Sequence, residues 1–264
     1  LEFRRVLFRS FQMAVKFARV LDGFDGPFET VRGVVAAPAA AITGAAHPTG
    51  CTISRRQNDA ATVVNRLLKA GEEVYAFDQS FYVAAGPSSL PILTKAAADL
   101  GVTIAGVAAQ PAGAKNALHQ QRIGVWDCYG GSVPSGWTRW LLEQYEFPYQ
   151  VVYPQALDAG NLASRFDVLI FPDGAIPDRD GGGTDGDCSS MTNVPSEYRT
   201  WTGRITPQTT IPQLKRFVED GGTLVAVGKS TAIATQIGLP VSRAVALPRE
   251  TYFVPGSLLR VSID

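Results

Sequence analysis

Residues 122–173 constrain the fold of this chain more than any other stretch. They contain three apolar runs typical of strands, at 122–129, 149–153 and 167–173, and a segment with apolar residues at helical spacing, at 137–145. Short links join the first strand, the helix and the second strand, which is the pattern of a βαβ unit. Consecutive units of this kind build a parallel sheet, so the sequence predicts an α/β fold here.

The side chains best suited to react or to bind a ligand lie at the carboxyl ends of the predicted strands. Ligands of open parallel sheets bind in the crevice beyond these ends. Another predicted strand, at 223–227, is followed by a serine. We therefore define the candidate cleft by five residues at the ends of predicted strands or shortly after them: Asp127, Cys128, Tyr129, Asp173 and Ser230.

Each of these residues has a chemical and a structural interpretation. In the chemical interpretation, the carboxylates of Asp127 and Asp173 divide acid and base roles or hold a cation. In the structural interpretation, they cap loops or helices. Cys128 is a nucleophilic or metal-binding thiol, or a small residue in a turn. The turn is favoured because no His follows Cys128 in the chain. Ser230 stands at a strand-to-helix turn that lacks the second glycine of a nucleophile elbow, so we expect it to cap a helix.

Composition argues against several classes of partner. Lys and Arg together number 24 and so do Asp and Glu, and this zero net charge gives no support to nucleic acid or an anionic membrane surface. No apolar run is long enough to span a bilayer. The three cysteines are odd in number and widely spaced, which argues against a disulfide framework.

Gly and Pro punctuation and apolar periodicity divide the chain into five segments. Residues 1–10 look like translated adapter or vector sequence, and we exclude them from the fold argument. We expect a helix remnant of an upstream domain at 11–28 and a small α/β or α+β unit at 29–109. A linker is expected at 110–121 and an incomplete α/β domain at 122–264.

The last of these segments contains a long acidic loop and several tryptophans. The loop at 174–206 includes an acidic run, 178–187, whose spacing is wrong for an EF-hand because Gly182 stands at the fifth position and Ser189 at the twelfth. We expect a solvated loop. A strand-like run ends the chain, and three tryptophans are expected in the core: Trp126, Trp137 and Trp140.

A series of short motifs in this chain is similar to a known protein family. Two of them are Phe166-Asp-Val-Leu-Ile-Phe-Pro-Asp173 and Phe253-Val-Pro-Gly-Ser-Leu-Leu-Arg260. In order and spacing, the series resembles the region that follows the catalytic domain in large bacterial zinc carboxypeptidases. The resemblance implies a flavodoxin-like, class I glutamine amidotransferase-like sheet with flanking helices. The other motifs lie at 65–74, 81–83, 123–126, 136–144, 195–198 and 214–226.

The family's zinc site cannot be carried over to any residue of this chain. The family removes C-terminal peptide residues at a zinc held by a His-x-x-Glu pair and a later His, with a separate Glu as general base. The two histidines here, His47 and His119, are followed three residues later by Gly50 and Arg122, so neither fits the pair. The resemblance therefore implies that the zinc belongs to a missing upstream domain.

The expected function is that of an accessory, non-catalytic C-terminal region of a zinc-dependent carboxypeptidase. Its expected partners are its own upstream catalytic domain and a small-molecule or peptide ligand of the cleft. The resemblance also suggests a secreted or periplasmic protein. Two alternatives stay open: a diverged hydrolase that uses Cys128 or Ser230, and a small-ligand-binding domain that uses the strand-end cleft.

Overall fold

A computed structural model of the chain describes residues 38–177 and 193–241, together with isolated positions between 23 and 33. The chain forms two compact units, and the unit of residues 36–241 contains nearly all of the described residues. Three sequence predictions lie wholly or almost wholly outside the described residues: the helix at 11–28, the acidic run at 178–187 and the strand-like run at 252–264.

Six short strands form a mixed sheet in the first half of the larger unit. Their order across the sheet is β1-β5-β2-β4-β3-β6. Strands β1 and β5 pair parallel, and the remaining pairs of this sheet are antiparallel. In chain order, β1 to β6 are Ile42–Gly44, Gly50–Ser54, Val74–Ala76, Ser80–Ala84, Ile104–Val107 and Asn116–Leu118.

Two amphipathic helices cover this mixed sheet. Helix α1 is Ala60–Lys69 and α2 is Ser89–Leu100, and both bury an apolar stripe. Helix α2 ends at Gly101, whose φ of 65° is the left-handed conformation that glycine adopts without strain. The helices and strands share one buried core that includes Ile53, Val63, Leu67, Leu93, Ala96 and Ile104.

Part of the segment predicted as a linker belongs to this sheet. Strand β6 pairs antiparallel with β3, with Leu118 opposite Val74 and Asn116 opposite Ala76. The pattern of the segment gave no sign of this pairing because β6 has only three residues, two of which are exposed. Backbone hydrogen bonds with a neighbouring strand, rather than side-chain burial, therefore hold it in place.

The second half of the unit is the parallel sheet that the sequence predicts. Its order is β10-β9-β7-β8, and all three neighbouring pairs are parallel. This arrangement confirms the α/β prediction and is consistent with a flavodoxin-like order of strands. The strands, in chain order from β7 to β10, are Ile123–Trp126, Tyr149–Val152, Val168–Phe171 and Thr223–Ala226.

In the described part of the chain after β7, four α-helices and three 3₁₀ helices flank the parallel sheet. The α-helices α3 to α6 are Val133–Gln144, Pro154–Asp158, Thr210–Glu219 and Ile233–Gln236. The 3₁₀ helices are Leu162–Ser164, Ser196–Trp201 and Gly228–Ala232. Among the described helices, none has the length and apolar character that a membrane span requires.

Strand β7 approaches its neighbours so closely that one position accepts only glycine. A Cβ added at Gly124 would lie 2.6 Å from Leu169 Cδ2 and 2.9 Å from Val152 Cγ2. Those two side chains come from the strands on either side of β7 and belong to its core. The same core includes Trp126, Leu157, Phe171, Leu214, Phe217 and Ile233. Helices α4, α5 and α6 therefore pack against the sheet through one shared core.

Helix α3 exposes most of its apolar side chains to solvent. Trp126 is buried, as predicted, but Trp137 is 65% exposed and Trp140 is 50% exposed. The prediction that both belong to the core was wrong. Trp137 and Trp140 do have helical spacing, but Ser135 is the residue of α3 that is buried. Periodicity alone does not tell which side of a helix faces the sheet.

An ion pair ties together the amino ends of β7 and β9. The Arg122 guanidinium donates to both carboxylate oxygens of Asp167, with Nη2 to Oδ1 at 2.6 Å. The Arg122 backbone N–H donates to Asp167 Oδ2 at 2.8 Å. Hydrogen bonding from the Arg122 side chain, and then from its backbone, lowers the pKa of Asp167 to about 2. This carboxylate therefore aligns two neighbouring strands.

We expect Asp167→Asn to lower the free energy of unfolding by about 1 kcal/mol at pH 7, a figure that allows for solvent screening of this partly exposed pair. The folded pKa is about 2 and the ordinary value is 3.8, so the contribution is present above about pH 4 and is lost as the pH falls toward 2. Urea unfolding of both proteins between pH 3 and 7 measures the difference. A difference that stays constant over this range would contradict the assignment.

Candidate functional site

The carboxyl edge of the parallel sheet contains the point where the strand order reverses. From β7 the chain adds β8 on one side and then crosses to add β9 on the other side. Ligands of doubly wound sheets bind at such a point, outside the carboxyl ends of the two central strands. Asp127 directly follows β7, and Asp173 lies two residues beyond β9. Both carboxylates therefore follow central strands of the sheet at its carboxyl edge.

Asp127 organises the loop between β7 and α3. Its side chain is 5% exposed, and Oδ1 accepts the backbone N–H groups of Cys128 and Ser132, both at 2.9 Å. Oδ2 accepts from Arg139 Nη1 at 3.2 Å, so the buried charge has a counter-charge on the helix. Ser132 is the N-cap of α3, and its hydroxyl accepts from the Ser135 N–H. The carboxylate therefore fixes the turn that starts α3.

Asp173 holds a different loop. It is exposed, and its Oδ1 accepts the backbone N–H of Lys229 at 2.6 Å. The preceding residue, Gly228, has a φ of 58°, and a Cβ there would lie 2.3 Å from the same oxygen. The two carboxylates thus have separate hydrogen-bond partners, as expected of residues that hold loops. The described residues contain no group of three or more His, Cys, Asp or Glu that could hold a metal ion.

Cys128 is buried and disulfide-bonded. The odd number and wide spacing of the cysteines argued against a disulfide framework, and they gave no sign of this bond. Its bonding partner lies outside the described residues, whereas Cys51 is buried and free, and burial raises the pKa of the Cys51 thiol. A disulfide sulfur is no thiolate, so Cys128 in this state is neither a nucleophile nor a metal ligand.

Ser230 is a buried structural cross-link. Its Oγ donates to the Pro172 carbonyl at 2.6 Å and accepts the Ile176 N–H at 3.1 Å, and the side chain has no exposed surface. The prediction of a helix N-cap was wrong, because the residue lies within the 3₁₀ helix and α6 is capped by Ala232. Its hydroxyl instead joins the loop after β9 to the segment after β10.

Tyr129 belongs to a chain of four aromatic rings that sequence reasoning missed. Its ring centroid lies 5.8 Å from that of Tyr198, and the Tyr198 ring lies 4.8 Å from Trp201. Trp201 in turn stacks on Tyr153 at 4.7 Å with an interplanar angle of 7°. We call these four residues the aromatic cluster. Tyr129 and Tyr153 follow β7 and β8, while the other two lie on the 3₁₀ helix Ser196–Trp201.

The 3₁₀ helix is held against the sheet edge by hydrogen bonds to its backbone. The Tyr129 N–H donates to the Trp201 carbonyl at 3.0 Å. The Gln155 side-chain amide of α4 donates to the Arg199 carbonyl at 2.7 Å. The only local sequence signal for the cluster was the aromatic residue after each of two neighbouring strands, and the helix that completes it comes more than forty residues later.

A charged pair lies beside the aromatic cluster. Burial, followed by the negative charge of Asp127, raises the pKa of Tyr153, and the nearby Arg139 opposes this shift. Arg139 keeps 38% of its side-chain surface exposed although it pairs with Asp127. Its Nε also lies 3.5 Å from the Tyr149 hydroxyl, which itself donates to Glu143. Arg139 therefore keeps N–H groups that are free to bind a ligand.

The two histidines lie too far apart to bind one zinc ion together. His47 is in the loop between β1 and β2, whereas His119 directly follows β6 at the opposite edge of the mixed sheet. At least three strand spacings of about 4.8 Å each separate these positions. His119 Nε2 instead contacts the side-chain amide of Gln121 at 2.8 Å. The described residues thus do not fit the zinc site of the resembled family.

Comparisons of the chain with protein families, with curated proteins and with solved structures find no match. The assignment of function therefore depends on the motif series and on the geometry of the sheet edge.

We expect Asp127→Ala to lower the free energy of unfolding by about 2–3 kcal/mol, because it leaves backbone donors without an acceptor and removes the counter-charge of Arg139. Asp173→Ala is the control, since it removes one hydrogen bond from an exposed carboxylate, with an expected loss below about 1 kcal/mol. Urea unfolding measures both. Equal losses in the two variants would show that Asp127 has no special role.

The disulfide predicts a specific pattern of cysteine alkylation. In the unfolded, unreduced chain, iodoacetamide is expected to modify one cysteine, Cys51. After reduction, it is expected to modify all three cysteines. Intact mass spectrometry counts the added groups. In the folded protein we expect Cys51 to stay unmodified because its side chain is fully buried. Modification of Cys128 before reduction would contradict the disulfide.

Proposed function

We propose that this chain is an accessory, non-catalytic region of a zinc-dependent carboxypeptidase, in which a separate catalytic domain hydrolyses the peptide. The observation that carries the proposal is the state of Ser230. It stands where glutamine amidotransferases have their nucleophile, yet its hydroxyl is fully buried and both donates and accepts within the fold. A hydroxyl in these bonds has neither access to substrate nor a neighbouring base.

Cys128 adds support from a second position. Its disulfide removes the other candidate nucleophile at this edge. Disulfides persist mainly in oxidising compartments, which favours the secreted or periplasmic location that the family resemblance suggests. The diverged-hydrolase alternative, which uses Cys128 or Ser230, would require the residue it uses to leave its present bonding, so we rank it below the accessory role.

The second candidate function, binding of a small ligand at the sheet edge, is favoured by the aromatic cluster and by Arg139. The Trp201 ring and the Arg139 guanidinium remain partly exposed. Binding sites commonly combine apolar surface with a few polar groups that fix orientation. This function is compatible with an accessory role, since a non-catalytic region is able to hold substrate for a catalytic domain.

The proposal predicts that the chain has no hydrolytic activity of its own. Purified protein, with zinc added, is incubated with peptides to detect release of C-terminal residues and with glutamine to detect ammonia. We expect rates equal to those of a buffer control in both assays. Zinc-dependent turnover that survives further purification would refute the non-catalytic assignment.

Covalent labelling gives an independent measurement on the hydrolase alternative. A fluorophosphonate probe is expected to leave Ser230 unlabelled in the folded protein, because the hydroxyl is buried and hydrogen-bonded. Thr231→Ala is a matched control, since the neighbouring hydroxyl is more exposed but also bonds to the backbone. Stoichiometric labelling that disappears in Ser230→Ala alone would support the hydrolase instead.

A further inference from the structure

Helix α3 exposes an apolar face on the side away from its buried residue. Four of its apolar residues are at least half exposed, and we call them the α3 face: Val133, Trp137, Trp140 and Leu141. Their spacing of i, i+4, i+7 and i+8 places them on one side of the helix. Ser135, the buried residue, lies on the other side.

The α3 face is large for a surface that stays in contact with water. The rings of Trp137 and Trp140 meet edge to face, with their centroids 5.7 Å apart. A whole tryptophan side chain covers roughly 250 Å², so the exposed parts of these two rings alone come to roughly 300 Å². Soluble proteins rarely leave a larger contiguous apolar patch uncovered, and patches of this size commonly mark protein interfaces.

The charges of α3 favour an uncharged partner. The helix contains one basic and one acidic residue, and both are bonded within the chain. Arg139 pairs with Asp127, and Glu143 accepts from the Tyr149 hydroxyl. Helices that lie on a membrane surface are rich in Lys and Arg, and surfaces that bind nucleic acid are basic. The α3 face therefore suits the apolar surface of a protein, and it does not repel a copy of itself.

The shape of the α3 face fits a second copy of the same face. Gly136 lies at its border, and a Cβ added there would meet nothing within 4 Å, so the glycine leaves a gap beside the indole rings. Two copies of α3 that pack antiparallel about a two-fold axis, through the middle of Val133–Gln144, bring together the protruding side chains and this gap. Trp137 then lies opposite Trp140 of the partner subunit, and Leu141 lies opposite the partner subunit's Gly136.

We propose that the α3 face is the interface of a two-fold symmetric homodimer of this chain. A two-fold interface requires a patch that is complementary to itself, and the large side chains and the glycine gap of α3 supply both halves of such a fit. A standard interface buries roughly 800 Å² per partner, so a face of this size predicts a reversible dimer. The proposal goes beyond the accessory role of the chain and does not rest on it.

Sedimentation equilibrium of the full chain tests the proposal. We expect a reversible monomer–dimer equilibrium between about 1 μM and about 300 μM protein. Trp137→Ala is expected to weaken dimerisation roughly 10-fold or more, because each dimer loses two central aromatic side chains. Val225→Ala is the control, since it truncates an exposed apolar residue of β10, and we expect it to leave dimerisation unchanged.

Gly136→Leu distinguishes a specific fit from general apolar association. Leucine is a better helix former than glycine and its side chain enters open space, so circular dichroism is expected to show a folded chain. The substitution enlarges the apolar face but fills the gap that the proposed packing needs. We therefore expect dimerisation to weaken roughly 10-fold, whereas non-specific association through apolar surface would become stronger.

Three outcomes would overturn the proposal. One is a folded chain that stays monomeric up to about 300 μM. Another is a Gly136→Leu variant that associates as tightly as the unchanged chain. The third is a monomer that pellets with phosphatidylcholine vesicles and loses this binding in Trp137→Ala, which would reassign the α3 face to a membrane. None of these measurements involves hydrolysis, so their failure is distinguishable from failure of the non-catalytic assignment.

Discussion

The buried carboxylate of Asp127 is the interaction on which the geometry of the candidate site depends. An unpaired charge at this depth would be strongly destabilising, but two backbone N–H groups and Arg139 surround it. These bonds set the path of the loop after β7 and the start of α3. They also place Arg139 beside the aromatic cluster, so one acidic side chain determines both the local fold and the polar character of the edge.

The residues at the carboxyl edge divide into those that the fold uses and those that it leaves available. Asp127, Asp173 and Ser230 each hold a loop, and Cys128 is in a disulfide. The groups that remain accessible at this edge include aromatic rings, the Arg139 guanidinium and the exposed carboxylate of Asp173. Aromatic and polar groups of these kinds commonly bind and orient ligands.

Sequence reasoning succeeded where the determinants were local. Apolar runs and helical spacing predicted the parallel sheet, and with it that Asp127 and Asp173 lie at its carboxyl edge. It failed where distant segments meet. The contact of Tyr129 with Tyr198, and of Tyr153 with Trp201, joins residues far apart in the chain, and no spacing rule reports such contacts. The exposure of Trp137 was missed for another reason: periodicity locates a stripe on α3 but not the side that packs on β7.

Both ends of the central strand pair are held by side-chain bonds. Arg122 and Asp167 join the amino ends of β7 and β9, while Asp127 fixes the loop at the carboxyl end of β7. These bonds restrict the movement of both ends of β7, and a preorganised site retains more of its interaction energy as affinity. Within the proposed function, even weak binding at this edge would have a large effect, because a tethered catalytic domain then meets its substrate at the high effective concentration that a short linkage creates.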